Sequence, residues 1–176
     1  VTHSQHYSVD SVDPLGVKRH LRRYSLEPVA VNACVNAVFE TDECSLPALP
    51  VERQSGAETK EIREAKKKLV YLKLHDKHEA VVYIERAQRL IDKARATGIP
   101  QVCLQGGRRG QIENVESELR AAAEVIDDLA AYATDCGIKI LLEMPHVWDI
   151  YYDAEKSKRM LSHLRSDNIG VLIDAT

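Results

Sequence analysis

Four positions in this sequence place a polar or acidic side chain at the end of a short apolar run. They are Asn36 in "EPVAVNACVN", Gln105 before Gly106 and Gly107 in "PQVCLQGG", Glu143 in "IKILLEMPH" and Asp174 in "IGVLIDAT". An acid that closes such a run is costly to bury unless a cation or a donor compensates it. Two such acids on consecutive runs favour a shared divalent cation, and oxygen ligands supplemented by imidazole favour Mg2+ or Mn2+. Taken alone, each acid is equally well read as a helix cap or as a salt-bridge partner.

The runs alternate with long amphipathic segments. "HEAVVYIERAQRLIDKARATG" places Val81, Ile84, Ala87, Leu90, Ile91 and Ala94 at helical spacing and offers Gly98 as a C-terminal cap. "NVESELRAAAEVIDDLAAYATDCG" repeats the pattern before "IKILLEMPH", and "DAEKSKRMLSHLRSDN" does so before "IGVLIDAT". A first helix is expected in "PLGVKRHLRRYSL", with Pro14 in its opening turn. Runs that are apolar at successive positions are buried on both faces. Repeated β-α-β units therefore predict a parallel sheet covered by helices, an α/β fold with ligands at the carboxyl ends of the strands. One region interrupts the cycle: residues 40–57 read as a loop carrying two prolines and a glycine, and "ETKEIREAKKKLVYLKLHDKHEA" after it reads as helical. Residues 40–75 are thus expected to form a long loop and helix insertion over the active-site face.

"LLEMPH" followed by "VLIDAT", with acids 31 positions apart, resembles the sugar isomerase/epimerase superfamily, whose fold is the xylose isomerase-like TIM barrel, (β/α)8. The resemblance implies a single domain over 1–176 that supplies the N-terminal part of such a barrel. About five of the eight β/α units would be present, the first strand reduced to the tail "VTHSQHYS". It implies that Glu143 binds a divalent metal and exchanges a substrate proton, and that Asp174 is a second metal ligand. Ala175 stands where the family commonly has Thr, and the remaining ligands, a His and a Glu from later strands, have no counterpart here. Asp149 falls on a substrate-contacting acid of the epimerases, and His146 on a polar substrate contact. Trp148, Asn36, Gln105 and His6 complete the expected substrate side, although Trp148 equally suits packing and His6 a terminal tail.

The expected function is a metal-dependent isomerase or epimerase of a small sugar, sugar phosphate or keto acid, working by proton transfer through an enediolate. The metal is Mn2+ or Mg2+, with Co2+ and Zn2+ as alternatives. An inosose dehydratase-like enzyme, an endonuclease IV-like phosphodiesterase and a non-catalytic barrel relative are the other readings. A formal charge of −3 gives no footprint for nucleic acid, and Lys66, Lys67 and Lys68 are balanced by Glu58, Glu61 and Glu64. No run reaches the roughly 20 apolar residues of a membrane span. Cys34, Cys44, Cys103 and Cys136 lack CxxC spacing, which points to a reducing, cytoplasmic compartment and to no zinc knot. A homo-oligomer is left open. "LQGGRRG" matches no P-loop, and its two arginines read either as an exposed turn or as an anion contact that favours a phosphorylated or carboxylated substrate. His75 and His78 read as solvated residues of a polar helix.

Overall fold

The architecture comes from a computed structural model that describes residues 13–33, 35, 37–39, 69–110, 114–145 and 149–173. Asp13 caps the first helix, α1 (Pro14–Arg23), by accepting the Leu15 N–H at 3.0 Å, with proline at the position where no N–H is needed. Four strands then pair in parallel: β1 (Val31–Asn32), β4 (Gln101–Leu104), β5 (Lys139–Glu143) and β6 (Ile169–Leu172), in the order β1-β4-β5-β6. Between them run α2 (Lys77–Thr97), α3 (Val115–Asp135) and α4 (Ala154–His163). A separate antiparallel pair joins β2 (Ala37–Phe39) to β3 (Leu69–Tyr71).

The core lies where the strands meet α2 and α3. Val102, Cys103 and Leu104 are buried at successive positions, so β4 is covered on both faces, while in β5 Ile140 and Leu142 are buried on one face and Leu141 is half-buried on the other. Against them α2 packs Ala80, Tyr83, Ala87, Leu90, Ile91 and Ala94, and α3 packs Leu119, Ala122, Ile126, Leu129 and Ala133. Gly98 ends α2 with φ of 79°, a left-handed conformation that glycine adopts without a Cβ penalty.

Three local expectations change. First, Val81 is 55% exposed rather than part of the apolar stripe of α2. At 100° per residue it lies about 120° from Ala87, whereas Ala80 and Tyr83 flank the stripe centre. Second, residues 69–76 are not helical: Leu69–Tyr71 is a strand and Leu72 and Leu74 are buried beyond it. The helix begins only at Lys77, because Asp76 accepts the N–H groups of His78 (2.9 Å) and Glu79 (3.1 Å), while the Glu79 carboxylate reaches back to the Lys73 N–H. His78 is exposed as expected, but His75 sits outside the helix with its Nε2 3.7 Å from Glu118 Oε1. Third, β6 is not buried on both faces; Val171 is 42% exposed, since among the described residues this strand pairs only with β5.

At the opposite end of the strands, the buried Asp127 of α3 accepts the N–H groups of Arg165 (3.0 Å) and Ser166 (3.1 Å) and the Arg165 guanidinium (3.1 Å), fixing the entry to β6. Asn168 adds a bond from its side-chain amide to the Ile138 carbonyl at 2.8 Å. Residues 40–68, where most of the expected insertion falls, lie outside the described residues, as does the expected first strand in the N-terminal tail.

The helix register predicts a contrast within α2. Ile91→Ala removes a fully buried side chain and should cost about 2–5 kcal/mol, whereas Val81→Ala should stay within about 0.5 kcal/mol of the parent. Urea denaturation of both variants measures it, and equal costs would mean that the assigned face is wrong.

Candidate active site

Parallel pairing sets the site. The register Leu104↔Leu142 carries the next residues, Gln105 and Glu143, to the same level at the carboxyl ends of β4 and β5. There the Gln105 side-chain amide donates to Glu143 Oε2 at 3.0 Å. Gln105 is held in turn by the fully buried Tyr83 of α2, whose hydroxyl donates to the Gln105 carbonyl at 2.6 Å. Glu143 is 7% exposed and Gln105 is similarly buried, so the carboxylate sits at the mouth of the core with one oxygen satisfied by an amide.

Asp149 joins them from the segment after β5. Its backbone forms an isolated antiparallel bridge with Arg108, and the Ile150 N–H donates to the Gly107 carbonyl at 3.0 Å. With 1% exposure, its carboxyl is pushed up to about 8, chiefly by burial; the Gly106 N–H works against that shift and the charge of Glu143 adds to it. Near neutral pH Asp149 is therefore held largely as the neutral acid. The two glycines are needed here for close approach. A Cβ on Gly106 would run into the Tyr151 ring, and one on Gly107 would lie 2.6 Å from Leu74 Cγ and 2.7 Å from the Leu74 backbone nitrogen.

Of the residues expected from sequence, Glu143, Gln105 and Asp149 are brought together. Asp174, His146, Trp148, Asn36 and His6 lie outside the described residues. Among the described residues no group of three or more potential metal ligands is present. Arg108 and Arg109 are exposed beside the site, and the Arg109 guanidinium stacks over Tyr152 at 5.0 Å from the ring centroid. Sequence reasoning missed Tyr83 and Tyr151. Tyr83 was detectable as an aromatic at helical spacing from Ala87 and Leu90, with a hydroxyl that needs a buried partner.

A family model described as the xylose isomerase-like TIM barrel matches residues 16–176. The chain belongs to that family. Its parallel sheet with alternating helices is part of the xylose isomerase-like barrel, and the site described above lies at the carboxyl face of that barrel. Solved structures of the same fold include a D-tagatose 3-epimerase-like protein, at 17% identity and a TM-score of 0.64, covering 94% of this chain and 51% of that one. An IolI protein with a bound zinc atom aligns at 15% identity and a TM-score of 0.60, covering 93% of this chain and 46% of the other. A xylose isomerase domain protein from Planctomyces limnophilus aligns at 12% identity and a TM-score of 0.59, covering 98% and 51%. The chain thus spans about half the length of these relatives. No curated protein matches the sequence. No described helix is long and apolar enough to cross a membrane.

The raised acid of Asp149 predicts a pH signature. A carboxyl at about 8 in the folded chain, against an ordinary value of 3.8, makes the folded state hold an extra proton between those limits. Stability is then fully present below about pH 4 and is lost as pH rises towards 8, by up to about 1.4 kcal/mol per unit. Denaturation in the presence of a chelator should show a steeper fall from pH 5 to 7.5 in the parent than in Asp149→Asn; identical slopes would mean that Asp149 is ionised throughout.

Proposed function

We propose that the protein carrying this chain is a metal-dependent isomerase or epimerase of a small sugar, sugar phosphate or keto acid. The single observation that carries the reading is Glu143, a buried carboxylate at the carboxyl end of a central barrel strand, oriented by Gln105 and set beside the neutral acid of Asp149. Two relatives of the same fold, a D-tagatose 3-epimerase-like protein and an IolI protein with a bound zinc atom, support the reaction class and the divalent cation.

The residues present fit a cation. The Gln105 amide engages Oε2 of the buried Glu143 carboxyl, and a hard cation suits its oxygen donors. Glu143 would supply one ligand and Asp174 a second, with Mn2+, Mg2+, Co2+ or Zn2+ as the ion and the other ligands drawn from outside the described residues. When bound, the ion supplies a Lewis acid that polarises a substrate carbonyl. The chain's own residues do the rest. Gln105 fixes Glu143 Oε2, so that the carboxylate is aimed while it takes a proton from the carbon beside the carbonyl and returns it, by way of an enediolate of the substrate. Asp149, kept neutral by burial, donates to a substrate oxygen instead of repelling it. His146, Trp148, Asn36 and His6 complete the substrate side in this reading. The single domain over 1–176, with residues 40–75 covering the active-site face, belongs to the same proposal. So does a cytoplasmic location, in keeping with the free thiols of Cys103 and Cys136.

The test is deuterium exchange from solvent into the carbon-bound position of a panel of small ketoses, ketose phosphates and keto acids. Chelation should abolish exchange and added Mn2+ should restore it. Glu143→Gln should lower the rate by about 10²–10⁴ while leaving the circular dichroism unchanged. Exchange that survives in Glu143→Gln at the parental rate would remove that residue from proton transfer.

A further inference from the structure

Beside the active site, the loop after β3 and the start of α3 enclose a cleft of about 450 Å3 that the proposed chemistry does not use. Three basic side chains line it: Lys73 from the loop, and Arg108 and Arg109 from the end of the Gln105-Gly106-Gly107 segment. No carboxylate among the described residues pairs with any of the three at ion-pair distance. Among the described residues the acid that lines the cleft is Glu118, which is buried and already engaged, accepting the Gly110 N–H at 2.9 Å and facing His75 Nε2 at 3.7 Å. The described lining thus has three basic side chains to one acid, His75 aside. The cleft also includes Asn114, the N-cap of α3, whose side chain makes no capping hydrogen bond and so leaves the first-turn N–H groups unsealed by it.

We infer that this cleft holds the phosphate of a phosphorylated substrate whose carbon skeleton reaches Glu143. The ligand follows from the donors: guanidinium forks and an ammonium, next to helix N–H groups, match a tetrahedral dianion. The placement follows from the chain. Arg108 is three residues beyond Gln105, at most about 11 Å along the backbone, and its backbone is bridged to Asp149. Stacking on Tyr152 holds the Arg109 guanidinium in place, which lowers the entropy lost on binding. The basic turn in "LQGGRRG" thereby acquires a function that its glycines do not share, since these serve packing against Tyr151 and Leu74. The assignment of the skeleton rests on the proposed isomerase reading; the assignment of the phosphate does not.

Calorimetric titration with inorganic phosphate, glycerol 3-phosphate and glycerol, at constant ionic strength and without metal, reads the cleft separately from turnover. Both phosphates should bind and compete for one site, and glycerol should not bind. The double variant Arg108→Ala/Arg109→Ala, whose parent side chains are exposed, should keep its circular dichroism and bind both about tenfold more weakly or worse. Lys73→Arg should bind nearly as the parent does. Parental affinity in the double variant overturns the inference, as does inorganic phosphate binding that glycerol 3-phosphate cannot displace, the mark of a free-phosphate pocket. Phosphate binding lost with the arginines in a protein whose Glu143→Gln variant still turns over would sustain the cleft and reject the proton-transfer role.

Discussion

The in-register parallel pairing of β4 with β5 is the constraint on which the site depends. It brings Gln105 level with Glu143, and without that amide the carboxylate oxygen Oε2 would be buried against apolar strand ends. The pairing itself holds because Val102, Leu104, Ile140 and Leu142 all go into the core. A slip of one residue would turn each of them to the other face of the sheet. Packing energy therefore fixes a polar geometry that is too weak to fix itself.

The ends of these strands are built as layers. Tyr83 comes from α2 and binds the Gln105 carbonyl, while Tyr151 closes over Gly106 from the segment that also carries Asp149. Three stretches distant in sequence thus meet on one short strand end. The two acids differ in character because of where each is held, one oriented by an amide and the other kept neutral by burial.

Much of this was legible in the sequence, for physical reasons. The helices at 77–97 and 115–135 showed themselves by apolar spacing and glycine ends, and the buried strands by consecutive apolar residues. Glu143 was recognisable because an acid closing such a strand needs a partner. The identity of that partner was not recognisable, since Gln105 lies 38 residues away and only register brings it close. The strand at 69–71 was misread as helix because its neighbours are rich in lysine and glutamate. The stop signal was Asp76 followed by Glu79, a capping pair whose effect depends on local geometry more than on composition. The character of the basic cleft was hidden for another reason: Lys73 and Arg108 meet only once β3 and β4 are placed.

The Asp127 clamp at the far end of the strands has a consequence for how such a chain changes over generations. Asp127, Arg165, Ser166 and Asn168 secure the entry to β6 and β5 through bonds that never approach Glu143 or the basic cleft. Alterations in the loops around the candidate site leave this anchorage untouched. The two ends of the sheet are therefore structurally separate, one holding the scaffold and the other carrying the candidate site.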